Sequence, residues 1–280
     1  MDITVFLMVL GAALLHAVWN AIVKIQGDRL VIMAIISGSG GLLSLFALPF
    51  VAFPTIESWP YIGVSIVLHN AYYLALIVSY RFGDLSLVYP IARGISPLVV
   101  TLIAVLLLGE QITSGGLFAV ALISIGLIAL VDARAQSFDW RAVVAAVATG
   151  LLIAFYTVTD ALGVRVAADP NSYTFWLFFL DGFPLVLVVA FYKRKETLRI
   201  MRTNWVPGIL AGVVSLFAIW IIMWALSLAP MTYVSALRET STVFAIAIGV
   251  MFLKEPLNLR RLVAVACAMA GSVLLRLVGK

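Results

Sequence analysis

The fold is decided by the segment LSLVYPIARGISPLVVTLIAVLLLGE, residues 85–110. It is an apolar run long enough to cross a bilayer, with one arginine, Arg93, well inside it and Glu110 just past its end. An arginine near the membrane centre costs roughly 2.5–3.5 kcal/mol even on the lenient insertion scale. Arg93 is therefore expected to face protein or water rather than lipid. Pro90 and Pro97 flank Arg93 and are expected to bend the segment, because proline removes a backbone hydrogen bond.

The same arrangement recurs in the second half of the chain, in MTYVSALRETSTVFAIAIGVMFLKE, residues 231–255. Arg238 and Glu255 are 17 residues apart here, which is also the separation of the arginine and the glutamate in residues 85–110. A soluble protein has little reason to place one arginine per half inside a lipid-length run. A membrane carrier built from two related halves does, because substrate and gates meet between the repeats.

Composition predicts that nearly the whole chain lies in the membrane. Hydrophobic residues make up 64% of the 280 residues and charged residues 11%, whereas soluble chains average about 45–50% and about 25%. The apolar stretches are mostly about 20–25 residues long, which suits a hydrocarbon core roughly 30 Å thick. Ten such segments are predicted: 3–23, 30–53, 59–80, 85–108, 113–131, 142–163, 171–192, 204–227, 231–253 and 257–277. They leave no room for a soluble domain, so we predict an all-α membrane protein with ten transmembrane helices.

The ten segments divide into two sets of five. We predict two repeats within a single membrane domain, residues 1–135 and residues 136–280. An odd number of helices in each repeat forces the two halves into opposite orientations in the bilayer, an inverted design common among carriers. The alternative is a chance similarity between apolar helices.

Lysine and arginine predict the orientation. Of the 16 such residues outside the segment interiors, 13 lie near the loops after odd-numbered segments, and loop 193–203 alone holds five of them. Positive residues accumulate on the cytoplasmic side, so these loops should be cytoplasmic and both termini should lie on the outer face. The net charge of +5 reflects this rule and does not indicate nucleic-acid binding. Segment 1 lacks a basic region before it and is expected to be a functional helix rather than a signal peptide.

Three short elements carry a resemblance to a known family. They are Leu108-Gly109-Glu110, its counterpart Leu253-Lys254-Glu255, and His16-Ala17-Val18-Trp19-Asn20 in segment 1. Together with the two sets of five segments, they resemble the drug/metabolite transporter superfamily, in the ten-helix EamA-type branch that includes bacterial aromatic amino-acid exporters. The resemblance implies ten helices around a central cavity in the bacterial inner membrane, exporting amino acids or related amphipathic metabolites. Many ten-helix members keep their termini in the cytoplasm, whereas the lysine and arginine distribution here predicts the opposite.

Candidate substrate-binding residues lie on aromatic stripes with helical spacing, to which the two membrane arginines are added. Rings combined with one or two polar groups suit a pocket that holds an apolar side chain and fixes its orientation. The alternatives are plain packing and interfacial anchoring. The candidates are His16, Trp19 and Asn20 on segment 1, His69 and Tyr73 on segment 3, Arg93 on segment 4, Tyr156 and Asp160 on segment 6, Trp220 and Trp224 on segment 8, and Arg238 on segment 9.

The two arginines are expected to have different partners. A guanidinium group is a planar fork that suits a carboxylate, on the protein or on a substrate. We expect Arg238 to reach Asp160 or Asp181 and Arg93 to stay free for a substrate carboxylate. The alternative is that both are structural, paired with Asp160, Asp181 or Glu239.

Three further roles are predicted. Glu110 and Glu255 each precede a helix and are expected to cap free N–H groups at a helix start. His16 and His69 are candidates to relay protons, because imidazole titrates near neutral pH. The alternative for a membrane histidine is hydrogen-bonded packing.

The missing motifs narrow the function. There is no G-x-x-x-x-G-K-[ST], no H-E-x-x-H, no cysteine–histidine cluster and no G-x-S-x-G, so ATP-driven, metal-dependent and hydrolytic chemistry are not predicted. We predict a carrier without enzymatic activity or cofactor, which exports amino acids by alternating access. The alternatives are an exporter of other metabolites, organic cations or drugs, a sugar carrier of the same fold, a channel, or an intramembrane enzyme. Its expected partners are a small-molecule substrate and the lipid bilayer, with no nucleic acid, and it is expected to be a monomer, with a dimer as the alternative.

Overall fold

The computed structural model describes residues 1–24, 29–131, 139–193, 195, 197, 199, 205–254 and 256–279. Over these ranges the regular structure is helical, with no strand. Nine helical stretches in them are long and apolar enough to cross a membrane, and Ser114–Ile128 is a shorter apolar helix. The predicted all-α membrane fold is therefore confirmed. Glu255 and most of loop 193–203 lie outside the described residues.

The helices follow the predicted segments in order, with one interruption. They are α1 (Ile3–Lys24), α2 (Arg29–Ala47), α3 (Trp59–Phe82), α4 (Leu85–Leu106), α5 (Ser114–Ile128), α6 (Trp140–Val166), α7 (Pro170–Tyr192), α8 (Trp205–Leu228), α9 (Met231–Arg238), α10 (Ser241–Leu253) and α11 (Leu259–Val278). Two short 3₁₀ turns, Leu48–Phe50 and Ile56–Ser58, connect α2 to α3. Helices α9 and α10 together make the ninth membrane span.

The interruption in the ninth span falls at Glu239 and Thr240. The backbone N–H of Glu239 donates to the carbonyl of Ala236, and that of Thr240 to the carbonyl of Leu237, so the turn is tighter than an α-helical one. The Thr240 hydroxyl also donates to the Leu237 carbonyl at 2.7 Å, a local bond that competes with regular helix. The α-helix of this span is therefore interrupted where its two charged residues, Arg238 and Glu239, lie.

The other arginine-bearing span behaves differently. Helix α4 runs without interruption from Leu85 to Leu106 with Pro90 and Pro97 inside it. The break is thus in the span that has no internal proline, and the prolines beside Arg93 do not end their helix.

Helix packing shows a pattern of exchanged partners. Helix α3 of the first half packs on α6, the first helix of the second half, and its counterpart α8 packs on α1. In the same way, α4 packs on α6, and its counterparts α9 and α10 pack on α1. The pairs α2–α7 and α5–α11 map onto themselves when the two sets of five are exchanged. This pattern supports the two-repeat organisation, which stays a prediction.

Helices α2 and α7 cross at close range. A Cβ atom built on Gly182 would lie 3.0 Å from the Cα of Gly41, and one on Gly41 would lie 3.1 Å from the Cα of Gly182. Each helix therefore presents bare backbone to the other, as small residues permit in membranes. This contact ties the first set of five helices to the second.

Charge and exposure are distributed as in a membrane protein. Large apolar side chains such as Phe46, Phe191 and Leu228 are exposed on the outer surface, where lipid would cover them. Charged groups including Arg93 and Glu239 are buried inside. The interior polar groups, rather than the surface, therefore mark the candidate site.

Candidate functional site

A cavity of about 90 Å³ lies in the middle of the helix bundle, lined by both halves of the chain. Helices α1 to α4 and α6 to α9 all contribute to its wall. Eight of the predicted site residues line it: His16, Trp19, His69, Tyr73, Arg93, Tyr156, Asp160 and Arg238. The rest of the wall is mainly apolar, with Phe178, Ile219, Ile222 and Met223 among its members. The cavity therefore combines rings, aliphatic side chains and a few charges.

Three predicted site residues do not line the cavity. The Asn20 amide donates to the His16 carbonyl of its own helix at 2.7 Å. The Trp220 indole donates to Asn171 at the start of α7 at 2.7 Å, and Trp224 packs against the apolar core. The expectation that Trp220 and Trp224 line the cavity is wrong, because α8 turns its aliphatic face inward and its tryptophans elsewhere.

Arg93 forms a buried ion pair with Glu239. Its Nη1 donates to both carboxylate oxygens of Glu239, at 3.1 and 3.2 Å. Glu239 is fully buried, and 5% of Arg93 is exposed. The expectation that Arg93 stays free for substrate is therefore wrong. Because α9 ends at Arg238, the next residue, Glu239, leaves the helix and reaches across to α4.

His16 lies between two donors. Its Nδ1 accepts a hydrogen bond from the indole of Trp19 at 3.3 Å, and its Nε2 contacts Nη2 of Arg93. A neutral imidazole accepts at only one nitrogen. Trp19 and Arg93 therefore compete for His16, which orients both side chains at the cavity wall.

Arg238 has fewer partners than Arg93. Its Nη2 donates to the Thr157 hydroxyl at 3.3 Å, and its Nε lies 3.6 Å from Oε1 of Glu239. The guanidinium carbon is 5.8 Å from the centroid of the Tyr156 ring, a cation–π contact. The buried Nε makes no hydrogen bond to any residue that the structure describes. Arg238 thus presents spare donors beside the cavity, and the expectation that it pairs with Asp160 or Asp181 is wrong.

A second polar cluster surrounds His69. Its Nε2 lies 3.5 Å from Oδ2 of Asp160 on α6, and its Nδ1 lies 3.9 Å from Oδ2 of Asp181 on α7. All three side chains are buried. Tyr156 packs edge-on against the imidazole, with 4.4 Å between ring centroids. One aromatic ring therefore contacts both His69 and Arg238.

The two aspartates of this cluster have neutral hydrogen-bond donors. Oδ1 of Asp160 accepts from Ser65 at 2.5 Å and from Tyr173 at 3.1 Å. Oδ1 of Asp181 accepts from the Asn70 amide at 2.9 Å. In each carboxylate Oδ1 is held by neutral donors, and Oδ2 is turned toward His69.

Three residues of the site were not among the candidate substrate-binding residues: Glu239, which was considered only as a possible partner of the arginines, and Thr157 and Tyr72. Glu239 directly follows Arg238 inside a lipid-length run, and a second charge at that depth is itself a signal of buried pairing. Tyr72 is next to Tyr73 and stacks near Tyr156, with 5.8 Å between ring centroids. Thr157 carries no comparable signal, because threonine is common in apolar helices.

Glu110 acts at one end of the bundle. Its two carboxylate oxygens accept the backbone N–H groups of Met231 at 3.0 Å and Thr232 at 3.2 Å. The predicted capping by Glu110 is thus confirmed, although the capped helix is α9 in the other half of the chain. Arg165 donates to the carbonyls of Leu226 and Ala229 at 3.0 and 2.9 Å, at the end of α8. Arg165 thus satisfies carbonyl groups at the end of α8, and Glu110 satisfies N–H groups at the start of α9.

Comparison with known proteins adds two findings. Residues 140–277 match the EamA-like transporter family. Among the solved structures similar to the chain is a crystal structure with a TM-score of 0.72, over 99% of this chain and 96% of that one, at 13% sequence identity. Such a likeness shows the fold alone. No curated protein matches the sequence.

Proposed function

The chain belongs to the EamA-like transporter family through residues 140–277, and we propose from that premise that it exports small metabolites that bear a carboxylate, amino acids among them. The family is one of small-molecule transporters, and the chain crosses the membrane several times. We further propose that it works by alternating access in a bacterial inner membrane. Export, the amino-acid substrate and this mechanism are parts of the proposal.

The observation that carries the proposal is the incomplete bonding of Arg238. A buried guanidinium normally uses its five N–H donors, and here Nη2 has one hydrogen bond while Nε has none among the described residues. Arg93, by contrast, is already held by Glu239 and His16. A substrate carboxylate could accept two parallel hydrogen bonds from the guanidinium of Arg238 and so satisfy its unused donors. We therefore assign the anionic end of the substrate to Arg238.

The wall of the cavity supports an apolar or aromatic substrate body. Trp19, Tyr73 and Tyr156 contribute rings, and Ile219 and Ile222 contribute aliphatic surface. Apolar walls with a few directed polar groups are usual in small-molecule sites. Sugars, which need many hydrogen bonds, fit this wall less well than amino acids with apolar side chains.

The size of the cavity supports a mechanism in which the bundle moves. Its volume is about 90 Å³, whereas ligand sites usually measure about 300–1,000 Å³. The conformation described is thus a compact one, and an aromatic amino acid would enter only after the helices separate. A carrier that alternates between open and compact conformations would show this property.

A second candidate function is the export of organic cations. Asp160 lines the same cavity, and its carboxylate suits a cationic group. The two candidates differ in the charge that the substrate must carry. Competition by carboxylates without an amine, against amines without a carboxylate, separates them.

Counterflow in proteoliposomes tests the proposal. Vesicles preloaded with an unlabelled amino acid should accumulate the labelled one transiently, and apolar or aromatic amino acids should give the largest signal. Arg238→Lys keeps the charge but loses the fork, so counterflow should fall on the order of 10- to 100-fold, as for a charged hydrogen bond of about 1.5–3 kcal/mol. Arg276→Lys makes the same exchange in the last turn of α11, away from the cavity, so it is the matched control and should transport normally.

Either of two results would overturn the proposal. One is the absence of counterflow for every amino acid although the protein is monodisperse and inserted. The other is an unchanged rate in Arg238→Lys, because the guanidinium fork would then have no part in binding.

A further inference from the structure

His69 is suspended between two carboxylates without completing a hydrogen bond to either. Its distances to Asp160 and Asp181, 3.5 and 3.9 Å, are those of charge contacts rather than of good hydrogen bonds. Nδ1 of His69 is buried and makes no hydrogen bond within the part of the chain that the structure describes. The imidazole can therefore move toward one carboxylate or the other, and which it meets depends on where protons are bound.

The two aspartates have no strong basic partner. Among the described residues, the basic side chain in contact with both is His69, and neither arginine of the cavity forms an ion pair with them. Two carboxylates buried near each other do not both stay ionised without compensation, since each charge has lost its water and repels the other. The cluster must hold at least one proton.

The cluster adjoins the proposed substrate site. Asp160 lies three residues after Thr157 on α6, so the two side chains share a helix face with about 5–6 Å between their Cβ atoms. Thr157 bonds to Arg238, the proposed carboxylate site. An amino acid whose carboxylate meets Arg238 would therefore bring its ammonium group toward Asp160.

From this geometry we propose that Asp160, His69 and Asp181 form a proton-binding site that exchanges a proton for the substrate ammonium group. This inference rests on the proposed function. In the empty carrier a proton occupies the Asp160–His69 pair. As substrate enters, that proton leaves to water and the ammonium group takes its place on the Asp160 carboxylate. After substrate release on the other side, a proton from that side restores the cluster.

The other charged or titratable groups facing the cluster do not remove this requirement. Tyr156 from α6, Tyr173 from α7 and Tyr73 from α3 contact its members or lie beside them as neutral phenols. Helix α2 contributes Ser37, which donates to the backbone of Asp181 and is uncharged. Arg238 is the nearest fixed positive charge, and it is the group that the substrate would neutralise.

A proton-flux measurement in proteoliposomes tests the proposal. Vesicles containing a pH-sensitive dye receive the amino acid that gives the strongest counterflow. The wild-type protein should release or take up protons as substrate moves the opposite way, and an imposed pH gradient should drive uphill accumulation. In Asp181→Asn, which changes a member of the cluster outside the cavity wall, the ratio of gradient-driven accumulation to counterflow should fall at least tenfold relative to the wild type.

If Asp181→Asn fails to fold, variants at the other two members of the cluster test the same proposal. His69→Gln should also uncouple, and Asp160→Glu should restore coupling that Asp160→Asn abolishes. Glu57→Gln, at an exposed acid in the turn before α3, is the control and should remain coupled.

The outcomes distinguish the two proposals. Counterflow without proton movement or gradient-driven accumulation in the wild type overturns the proton site and leaves the carrier function intact. Equal coupling in Asp181→Asn, His69→Gln and wild type also overturns it. If the wild-type protein showed no counterflow for any amino acid, that result would instead contradict the proposed function itself.

Discussion

Arg93 on α4 and Glu239 at the end of α9 form a buried ion pair, in which one guanidinium nitrogen lies 3.1 and 3.2 Å from the two carboxylate oxygens. The pair joins the first half of the chain to the second at the depth of the cavity. It also explains why Arg238, the neighbour of Glu239, keeps spare donors, since the shared carboxylate is already committed to Arg93. The two arginines are therefore bonded unequally: Arg93 contacts Glu239 and His16, whereas Nε of Arg238 makes no hydrogen bond to the described residues.

Removing the carboxylate of this pair should destabilise the protein strongly. Glu239→Gln leaves Arg93 buried without its counter-charge, and we expect a loss of about 3–5 kcal/mol in the free energy of unfolding. Thermal unfolding of the detergent-purified protein measures it. The double variant Arg93→Gln with Glu239→Gln, which removes both charges, should be less destabilised than Glu239→Gln alone. The opposite order would show that the pair does not hold the halves together.

The ring of Tyr156 should matter more than its hydroxyl. It contacts the guanidinium of Arg238 and the imidazole of His69, and cation–π contacts contribute about 0.5–2 kcal/mol. Tyr156→Phe should transport nearly normally, whereas Tyr156→Leu should lose on the order of 2- to 30-fold in apparent substrate affinity. Concentration dependence of counterflow gives the comparison. Equal losses in both variants would point to the hydroxyl instead.

The close crossing of α2 and α7 should tolerate no added side chain. Gly182→Val places methyl groups against the backbone of Gly41, whose Cα is 3.0 Å from the Cβ position, and overpacking typically costs about 1–3 kcal/mol. Gly63 on α3 has open space around its Cβ position, so Gly63→Val is the matched control. The melting temperature should fall for Gly182→Val only. A similar fall in both would trace the effect to valine in a helix rather than to the crossing.

Orientation stays a prediction from the lysine and arginine distribution. In a Cys267→Ala background, a cysteine at Lys195 should react with an impermeant reagent only from the cytoplasmic side, and one at Ile3 only from outside. Labelling of intact cells and of inverted vesicles measures it. Reaction of the Lys195 cysteine from the outside would reverse the predicted orientation.

The helical architecture could be predicted from the sequence because hydrophobic length is a local property. Segment 9 could not be predicted completely. Its apolar run predicts one helix, but the structure has two, α9 and α10. At the break, Thr240 makes a local hydrogen bond and Glu239 pairs with Arg93. Pro90 and Pro97, by contrast, lie inside α4 without ending it, and the bend that they predict stays a prediction. The contact between Glu239 and Arg93 is tertiary, so no local pattern in segment 9 contains it.

Only part of the candidate site could be predicted from the sequence. Charged residues in a lipid-length run must point inward, so the depth of Arg93, Arg238 and Asp160 in their segments supports their placement at the cavity. Aromatic residues carry no such constraint, since lipid and protein both accept a ring. Trp220 and Trp224 therefore satisfied the pattern while facing away from the cavity.

The contacts of Glu110 bear on how the protein is made. Its carboxylate belongs to the first half of the chain, whereas the N–H groups that it caps, at Met231 and Thr232, are synthesised more than a hundred residues later. Until then Arg93 also lacks Glu239, and an unpaired arginine in the bilayer is costly. The first five helices thus enter the membrane before the carboxylate that pairs with Arg93 and the N–H groups that Glu110 caps have been synthesised. During biogenesis we expect an intermediate in which the first five helices are inserted and Arg93 is still solvated. When the two halves are expressed as separate chains, we expect them to fold stably only after they assemble with each other.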